Sequence, residues 1–422
     1  MKIVHLTTFV NGGAGKAAFR LHLSLLNQGI DSNFLSLYDF PKGIEDFKEI
    51  NFQRAIDFKP NLWVKFKNKI IQIQKAPYKR RKKKLISELM ELKKSINVEA
   101  ISTPFSNYII ENHPLIQDAD VIHLHWVSQM VDFTTFFKNV KKPIIWTLHD
   151  MNPFQGLFHY KDDYNNFTNL PNLQLIDDKF LEIKINGLER TKKNKIKIIS
   201  PSEWLKNEAK ASRLFSKFEI EKIPYGINLN LFSPIEKQKA RDLLKLPFSE
   251  TIILFIADSI KNKRKGIDLL LDAIKKFETN KLPIIIAIGD CEESLQLPEN
   301  CIKTGRIDSE ELLVNYYSAS DLTVIPSRED NLPNVLLESI ACGIPIVGLP
   351  VGGIKEHLLE FKTGLNSAEI SSDELFNAIN NILHKLDFYS KDEIRKYAFE
   401  NFNSIENSKK YINEYEKIVN RN

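Results

Sequence analysis

Apolar positions along the chain fall into short unbroken runs separated by amphipathic stretches. Lys2–Thr7, Asn33–Leu37, Ala119–Leu124, Pro143–Leu148 and Ile196–Ile199 read as buried strands. So do Thr251–Ala257, Pro283–Ile288, Cys301–Thr304, Asp321–Pro326 and Ile344–Val347. Between them apolar residues recur at helical spacing, over Ala17–Gln28, Ile267–Phe277, Leu375–Leu386 and Asp392–Val419. One helix opens at Leu332 or Pro333, carries the stripe Leu336, Leu337, Ile340 and Ala341, and stops at Gly343. Ser200-Pro201-Ser202-Glu203 predicts a capping box with proline at the first helical position. Gly352-Gly353 predicts one more helix start. Buried strands alternating with helices predict an α/β chain of parallel crossover units, which bind ligands at the carboxyl ends of their strands.

The pattern fails over Asp39–Ser106. That stretch holds an aromatic-rich segment, Phe58–Phe66, and then KAPYKRRKKKLISELMELKK. Pro77 predicts an interruption, after which Leu85, Ile86, Leu89, Met90 and Leu92 form one apolar face. Charge changes the picture here. Asn61–Ser95 carries twelve Lys or Arg against two Glu, while the whole chain is only +5, so the remainder is net acidic. General nucleic-acid binding is therefore a poor reading. A basic run joined to an amphipathic helix, residues 65–94, suits either an anionic membrane surface or a solvated helix packed on the amino-terminal domain.

Candidate chemistry concentrates after the strand ending at Pro326. Asp330 precedes the helix and Glu338 lies inside it, off the apolar stripe, roughly 9 Å from the helix start at 1.5 Å per residue. The helix start between them attracts phosphate through its free N–H groups and dipole. One carboxylate could hold sugar hydroxyls and the other ribose hydroxyls of a nucleotide diphosphate sugar. Alternatively, Asp330 is a helix cap and Glu338 a solvated flank.

The order of residues in PSREDNLPNVLLESIACGIPIV resembles family 4 of the retaining glycosyltransferases, also described as glycosyl transferases group 1. That resemblance implies a GT-B fold, two Rossmann-like domains facing a central cleft. The first acid is more often Glu in the family; Glu329 is one residue too far from Glu338, which leaves the role to Asp330. Lys265-Gly266 resembles the pair whose ammonium neutralises the diphosphate. An arginine expected six residues earlier is replaced by Ser259, with Arg264 as the substitute. Gly305-Arg306-Ile307 stands where the family reads the base, and the amides near Leu332, Pro333 and Asn334, beside Asn331, where it receives the diphosphate. His149, in TLHDMNPF at a strand end, matches an active-site histidine; taken alone it would be a structural residue.

The loop Asn11-Gly12-Gly13-Ala14-Gly15-Lys16 has three readings. It is not a Walker loop, because Ala17 stands at the metal-binding position. Gly13, Gly15 and Ala18 fit G-x-G-x-x-A, with Asp39 as a ribose acid of a nicotinamide site. In the resembled family the same glycines line the interdomain cleft, which implies that Gly13 and Gly15 contact the nucleotide sugar.

The resemblance further implies an amino-terminal acceptor domain over residues 1–226 and a nucleotide-sugar domain over 227–402. The crossing lies at Ile223–Asn228, and a helix of about 403–422 returns to the first domain. It implies transfer of a hexosyl unit to a saccharide or lipid-linked saccharide, in surface polysaccharide or glycoconjugate synthesis, with no cofactor or obligatory metal. A GT-B nucleotide-sugar epimerase is the alternative. Phe154–Phe180 departs from related chains in containing no cysteine. Cys291, Cys301 and Cys342 read as buried thiols of a reducing compartment. MKIVHLTTFV reads as a first strand rather than a signal peptide, and no run is long enough to span a membrane. The expected location is cytoplasmic or peripheral on the inner membrane face.

Overall fold

Ile3, Val4, Leu6, Phe34, Leu35, Val121, Ile122, Ile144, Ile145 and Ile198 are almost fully buried, and they sit on strands of one parallel sheet. The structure, a computed structural model, describes residues 1–43, 46–94, 98–167, 170–291 and 297–420. The sheet contains β1 (Lys2–Thr7), β2 (Asp31–Ser36), β3 (Phe52–Arg54), β4 (Val121–Leu124), β5 (Ile144–Thr147), β6 (Ile196–Ser200) and β7 (Ile220–Lys222). Their order is β3-β2-β1-β4-β5-β6-β7. The second sheet contains β8 (Ile252–Ser259), β9 (Ile284–Asp290), β10 (Cys301–Gly305), β11 (Leu322–Ile325), β12 (Ile346–Gly348) and β13 (Gly364–Asn366). It is also parallel, in the order β10-β9-β8-β11-β12-β13. Met1–Ile223 with Ser408–Asn422 form one compact unit, and Pro224–Asn407 form the other.

Side chains alternate across a strand, so each face of the first sheet has its own cover. Ile3, Val121, Ile145 and Ile199 pack against Tyr411, Tyr415 and Ile418 of the last helix. Val4, Leu6, Ile122, Leu124, Ile144 and Trp146 point to the larger cluster on the other face. The expected single helix over Asp392–Val419 is two, Lys391–Phe402 and Ser404–Asn420. Asn403 leaves the helix to pair with Ile227, where Ile227 N–H donates to Phe402 O (2.8 Å) and Ser404 N–H to Ile227 O (3.2 Å). Gly226 permits this approach, because a Cβ there would lie 2.6 Å from the Cα of Ser404.

Several local expectations shift. Helix α1 spans Gly13–Asn27, so the glycines form its first turn instead of a loop before Ala17. The cap after β6 is Ser202, whose hydroxyl accepts from Leu205 N–H; Pro201 precedes the cap. Ile354–Glu356 is one 3₁₀ turn, not a helix. Cys342 is buried, but Cys291, which follows β9, and Cys301, on the edge strand β10, are only half-buried.

Pro77 does not interrupt the basic stretch: α2 runs unbroken over Leu62–Lys93. Its ring is on the exposed face, so the carbonyl four residues back loses its donor on the wet side. Leu85 and Leu89 are buried in the larger cluster with Ile86 and Leu92 against it, while Met90 remains 52% exposed. No described helix is long and apolar enough to cross a membrane.

Candidate functional site

In the second unit the candidate residues come from three strand ends. Lys265 closes the short 3₁₀ turn after β8, and Asp330 lies in the loop after β11. Gly266 brings the two loops together: its φ is +72°, and a Cβ would lie 1.9 Å from the carbonyl oxygen of Pro326. Arg328 then clamps the pair. Its N–H donates to Arg264 O (2.7 Å), and its guanidinium donates to both Asp268 oxygens (2.9 and 2.6 Å). This holds the Asp268 carboxyl below its usual range.

Asp330 is 7% exposed and receives two cations on Oδ2, Lys265 Nζ at 2.6 Å and Arg264 Nη1 at 3.2 Å. Its Oδ1 accepts from Asn331 N–H at 3.0 Å. Burial alone would raise the carboxyl, but Lys265 and Arg264 outweigh it and hold it ionised below the ordinary value. The structure thus brings Lys265, Arg264 and Asp330 into one cluster with an excess positive charge. Asn331 and Leu332 are buried beside it, Pro333 is the N-cap, and the helix begins at Asn334, just after the expected start at Leu332 or Pro333. Glu338 is not on a solvated flank. It is 5% exposed, and Oε2 accepts from the Tyr317 hydroxyl at 2.7 Å. Nothing in the spacing around Tyr317 pointed to that contact. Arg306 and half-buried Ile307 follow β10 on the same edge of the sheet; Arg306 donates to Asp308 (3.0 Å) and approaches Asp290 (3.6 Å).

The first unit carries different chemistry. Alternation places Ile3 and His5, Val121 and His123, and Ile145 and Thr147 on one face, with His125 and His149 continuing past the strand ends. His5 Nδ1 lies 3.0 Å from His125 Nε2, and His125 Nδ1 lies 3.1 Å from His149 Nε2. His123 bonds Tyr415 (2.7 Å) and Thr147 (2.8 Å). The rings of His5, His125 and His149 thus form one chain of hydrogen bonds. Burial pushes the His149 ring down to about 4, against a smaller opposing effect of Asp150, so the ring is neutral at neutral pH. Ring nitrogens of His5, His123 and His125 also lie within 4.8 Å of one another. A metal ion there would have to displace the hydrogen bonds that His123 and His125 already make.

Beside His149 is a pocket lined by Thr103, His125, Trp126, Ser128, Asp150 and Asn152, among others. Asp150 accepts from His159 Nδ1 (2.6 Å), Trp126 Nε1 (2.9 Å) and Asn152 N–H (2.9 Å). His159 Nε2 bonds Ser102 at 2.7 Å, and Ser128 donates to the same hydroxyl at 2.6 Å. The relay looks like that of a serine hydrolase. Ser102, however, is only 4% exposed and spends its oxygen on Ser128 and His159, so it links the pocket wall. The cysteine-free stretch after Phe154 is fastened by a buried lysine. Lys184 donates to Asn152 O (2.6 Å) and Gln155 O (2.7 Å), and burial pushes it down to about 7. The sequence reading missed Asp150, His159 and Lys184; their partners lie up to 57 residues away.

The glycine loop takes a structural form. A Cβ on Gly15 would lie 2.2 Å from Phe9 O, so the helix needs glycine there to pack on its own entry loop. Asp39 accepts from Val10 N–H (2.7 Å), Asn11 N–H (3.1 Å), Asn11 Nδ2 (2.8 Å) and Ser36 Oγ (3.0 Å). A carboxylate so engaged is not held out for a nicotinamide ribose.

Residues 250–385 match the family described as glycosyl transferases group 1. The lipopolysaccharide 1,2-N-acetylglucosaminetransferase of Salmonella typhimurium is 28% identical over 233 residues, covering 49% of this chain and 60% of that one. The chain spans about half the length of the curated relatives it matches. Sucrose-phosphate synthase from Thermosynechococcus elongatus superposes over 100% of both chains with TM-score 0.69 and 18% identity. Anabaena HepE, solved with UDP and glucose, covers 98% of this chain and 99% of its own with TM-score 0.64 and 15% identity. The two parallel α/β sheets and these neighbours give the chain the GT-B architecture of two Rossmann-like domains.

Proposed function

We propose that the protein is a retaining glycosyltransferase of family 4 that moves a hexosyl unit from a nucleotide diphosphate sugar to a saccharide or lipid-linked saccharide. The observation that carries this reading is the convergence of Lys265 and Arg264 on Asp330, one turn before a helix whose buried Glu338 follows eight residues later. A diphosphate leaving group gains charge as the glycosidic bond breaks. Lys265, Arg264 and the amides around Leu332–Asn334 are donors fixed before that charge develops, which is how such stabilisation works without reorganisation. In this reading Asp330 orients sugar hydroxyls, Glu338 accepts the ribose hydroxyls, and the backbone at Arg306-Ile307 reads the base. The chemistry then needs no metal.

The acceptor belongs to the first unit. Neutral His149 and the Trp126–Asp150–Ser128 pocket offer donors, acceptors and an aromatic wall suited to sugar hydroxyls. The relatives' names support a role in polysaccharide or lipopolysaccharide synthesis, and the reduced cysteines suit a cytoplasmic site.

A thermal-shift screen against nucleotide sugars identifies the donor, followed by incubation with saccharide acceptors and NMR of the product anomer. Transfer with retention is expected. An inverted product overturns retention, and a new nucleotide sugar formed from donor alone identifies an epimerase instead.

A further inference from the structure

Five of the protein's large exposed apolar side chains lie on the first half of α2: Leu62 (85% exposed), Trp63 (64%), Phe66 (56%), Ile70 (45%) and Ile73 (66%). At 100° per residue they fall within an arc of about 100°. The stripe is roughly 17 Å long at 1.5 Å per residue. Trp63 and Phe66 stack, with centroids 5.9 Å apart.

The opposite face of the same helix is tied to the first unit. Asn68 bonds Asn112 (2.8 Å), Gln74 bonds Asn139 (2.9 Å), Lys75 pairs with Asp132 (3.1 Å), and Tyr78 meets Arg190 (2.9 Å). Ile71, Leu85 and Leu89 are buried on that side. The helix therefore cannot rotate to hide its stripe. The outer face is apolar for three turns and then continues into exposed Arg80, Arg81 and Lys84, with exposed Lys65 and Lys69 on its flank. No acidic residue occurs between Asp57 and Glu88.

We propose that this outward face of α2, Leu62–Ile73 with the cations through Lys84, docks in the plane of an anionic lipid bilayer. A protein groove would satisfy the apolar stripe alone. The thirty acid-free residues around it match a surface of dense negative charge, and the aromatic pair suits the headgroup boundary, where amphipathic rings settle. Docking by one helix face without a spanning helix agrees with the absence of any spanning segment among the described helices. The proposal is independent of the transfer reaction.

Co-sedimentation of the full chain with vesicles of phosphatidylcholine, with and without phosphatidylglycerol, tests it. Binding to the anionic vesicles is expected to exceed binding to the neutral ones at least tenfold. It should weaken as salt rises from 0.01 to 0.15 M and the Debye length falls from about 30 to 8 Å. Trp63→Ser, Phe66→Ser, Ile70→Ser and Ile73→Ser combined should lose binding at least tenfold with unchanged circular dichroism, because all four side chains are exposed. Arg80→Gln, Arg81→Gln and Lys84→Gln combined should lose a similar factor and most of the salt dependence. The proposal is overturned by no binding to anionic vesicles at 0.01 M salt, or by wild-type binding in either combined variant. It also fails if the protein is a dimer in solution that the four-serine variant converts to monomer, which would make the stripe a self-association face.

Discussion

The two units present opposite solutions to holding polar groups beside a buried sheet. The second keeps its groups charged: a carboxylate with two cations on one oxygen, all within loops that follow adjacent strands. The first keeps its buried histidine rings neutral. His5, His22, His123, His125 and His149 are all held below their ordinary range, chiefly by burial, and they pass hydrogen bonds to one another or to hydroxyls and carbonyls. Charge suits a site that must meet a diphosphate. A neutral donor–acceptor chain suits sugar hydroxyls and demands more burial, so its cost appears in pH dependence.

Acid should separate the units most strongly. A ring whose folded value is lower than its unfolded value of 6.5 stabilises the fold fully above pH 6.5, and that stability drains away as pH falls toward about 4. For His22 and His149 that loss is on the order of 3 kcal/mol each once the pH has fallen to about 4, a large share of a domain's stability. The depressed carboxyls Asp268 and Asp330 contribute in the other unit, and their stability is lost only below 3.8. All four tryptophans lie in the first unit and all three cysteines in the second. Tryptophan emission should therefore shift to the red between pH 6.5 and 4 while Cys342 stays protected from an acid-active thiol reagent. Simultaneous loss of both signals would break the comparison.

Next in size is Lys265→Ala, which removes a fixed cation from the developing charge. Turnover should fall about 10²–10³-fold, with the tryptophan signal of the first unit unchanged. Activity within a few fold of wild type would remove the diphosphate role from this lysine.

Glu338→Ala should weaken nucleoside diphosphate binding by about 1.5–3 kcal/mol in calorimetry. Because the substitution also removes the carboxylate that accepts from the Tyr317 hydroxyl, Glu338→Gln and Tyr317→Phe serve as controls. Tyr317→Phe spares the carboxylate and should bind nucleotide nearly as the wild type does; a loss as large as that of Glu338→Ala would make the pair structural.

The finest test is His149→Ala. Turnover should drop roughly tenfold, the loss of about one hydrogen bond to the acceptor, with nucleoside diphosphate affinity unchanged. Equal loss of both would sink the assignment of this histidine to the acceptor side.

Most strands and the loop-to-helix half of the charged site were legible in the sequence. Unbroken apolar runs and period-3.6 patterns mark strands and helices within windows of ten residues, and Asp330, Asn334 and Glu338 share one loop and one helix, so their spacing is already their geometry. Pro77 shows where such local rules stop. The sequence says that proline opposes a helix, but packing of Ile71, Leu85 and Leu89 on one side and water on the other decide that α2 runs through it. The face that remains exposed was equally hidden, since Leu62–Ile73 and Leu85–Leu92 are both helical apolar stripes and only contacts with Asn112, Asp132 and Asn139 choose between them. His5, His125 and His149 are separated by up to 144 positions and meet because β1, β4 and β5 are neighbours. Strand order is set by nonlocal hydrogen bonds and burial, so the histidine chain and its lowered pKa values belong to the tertiary structure alone.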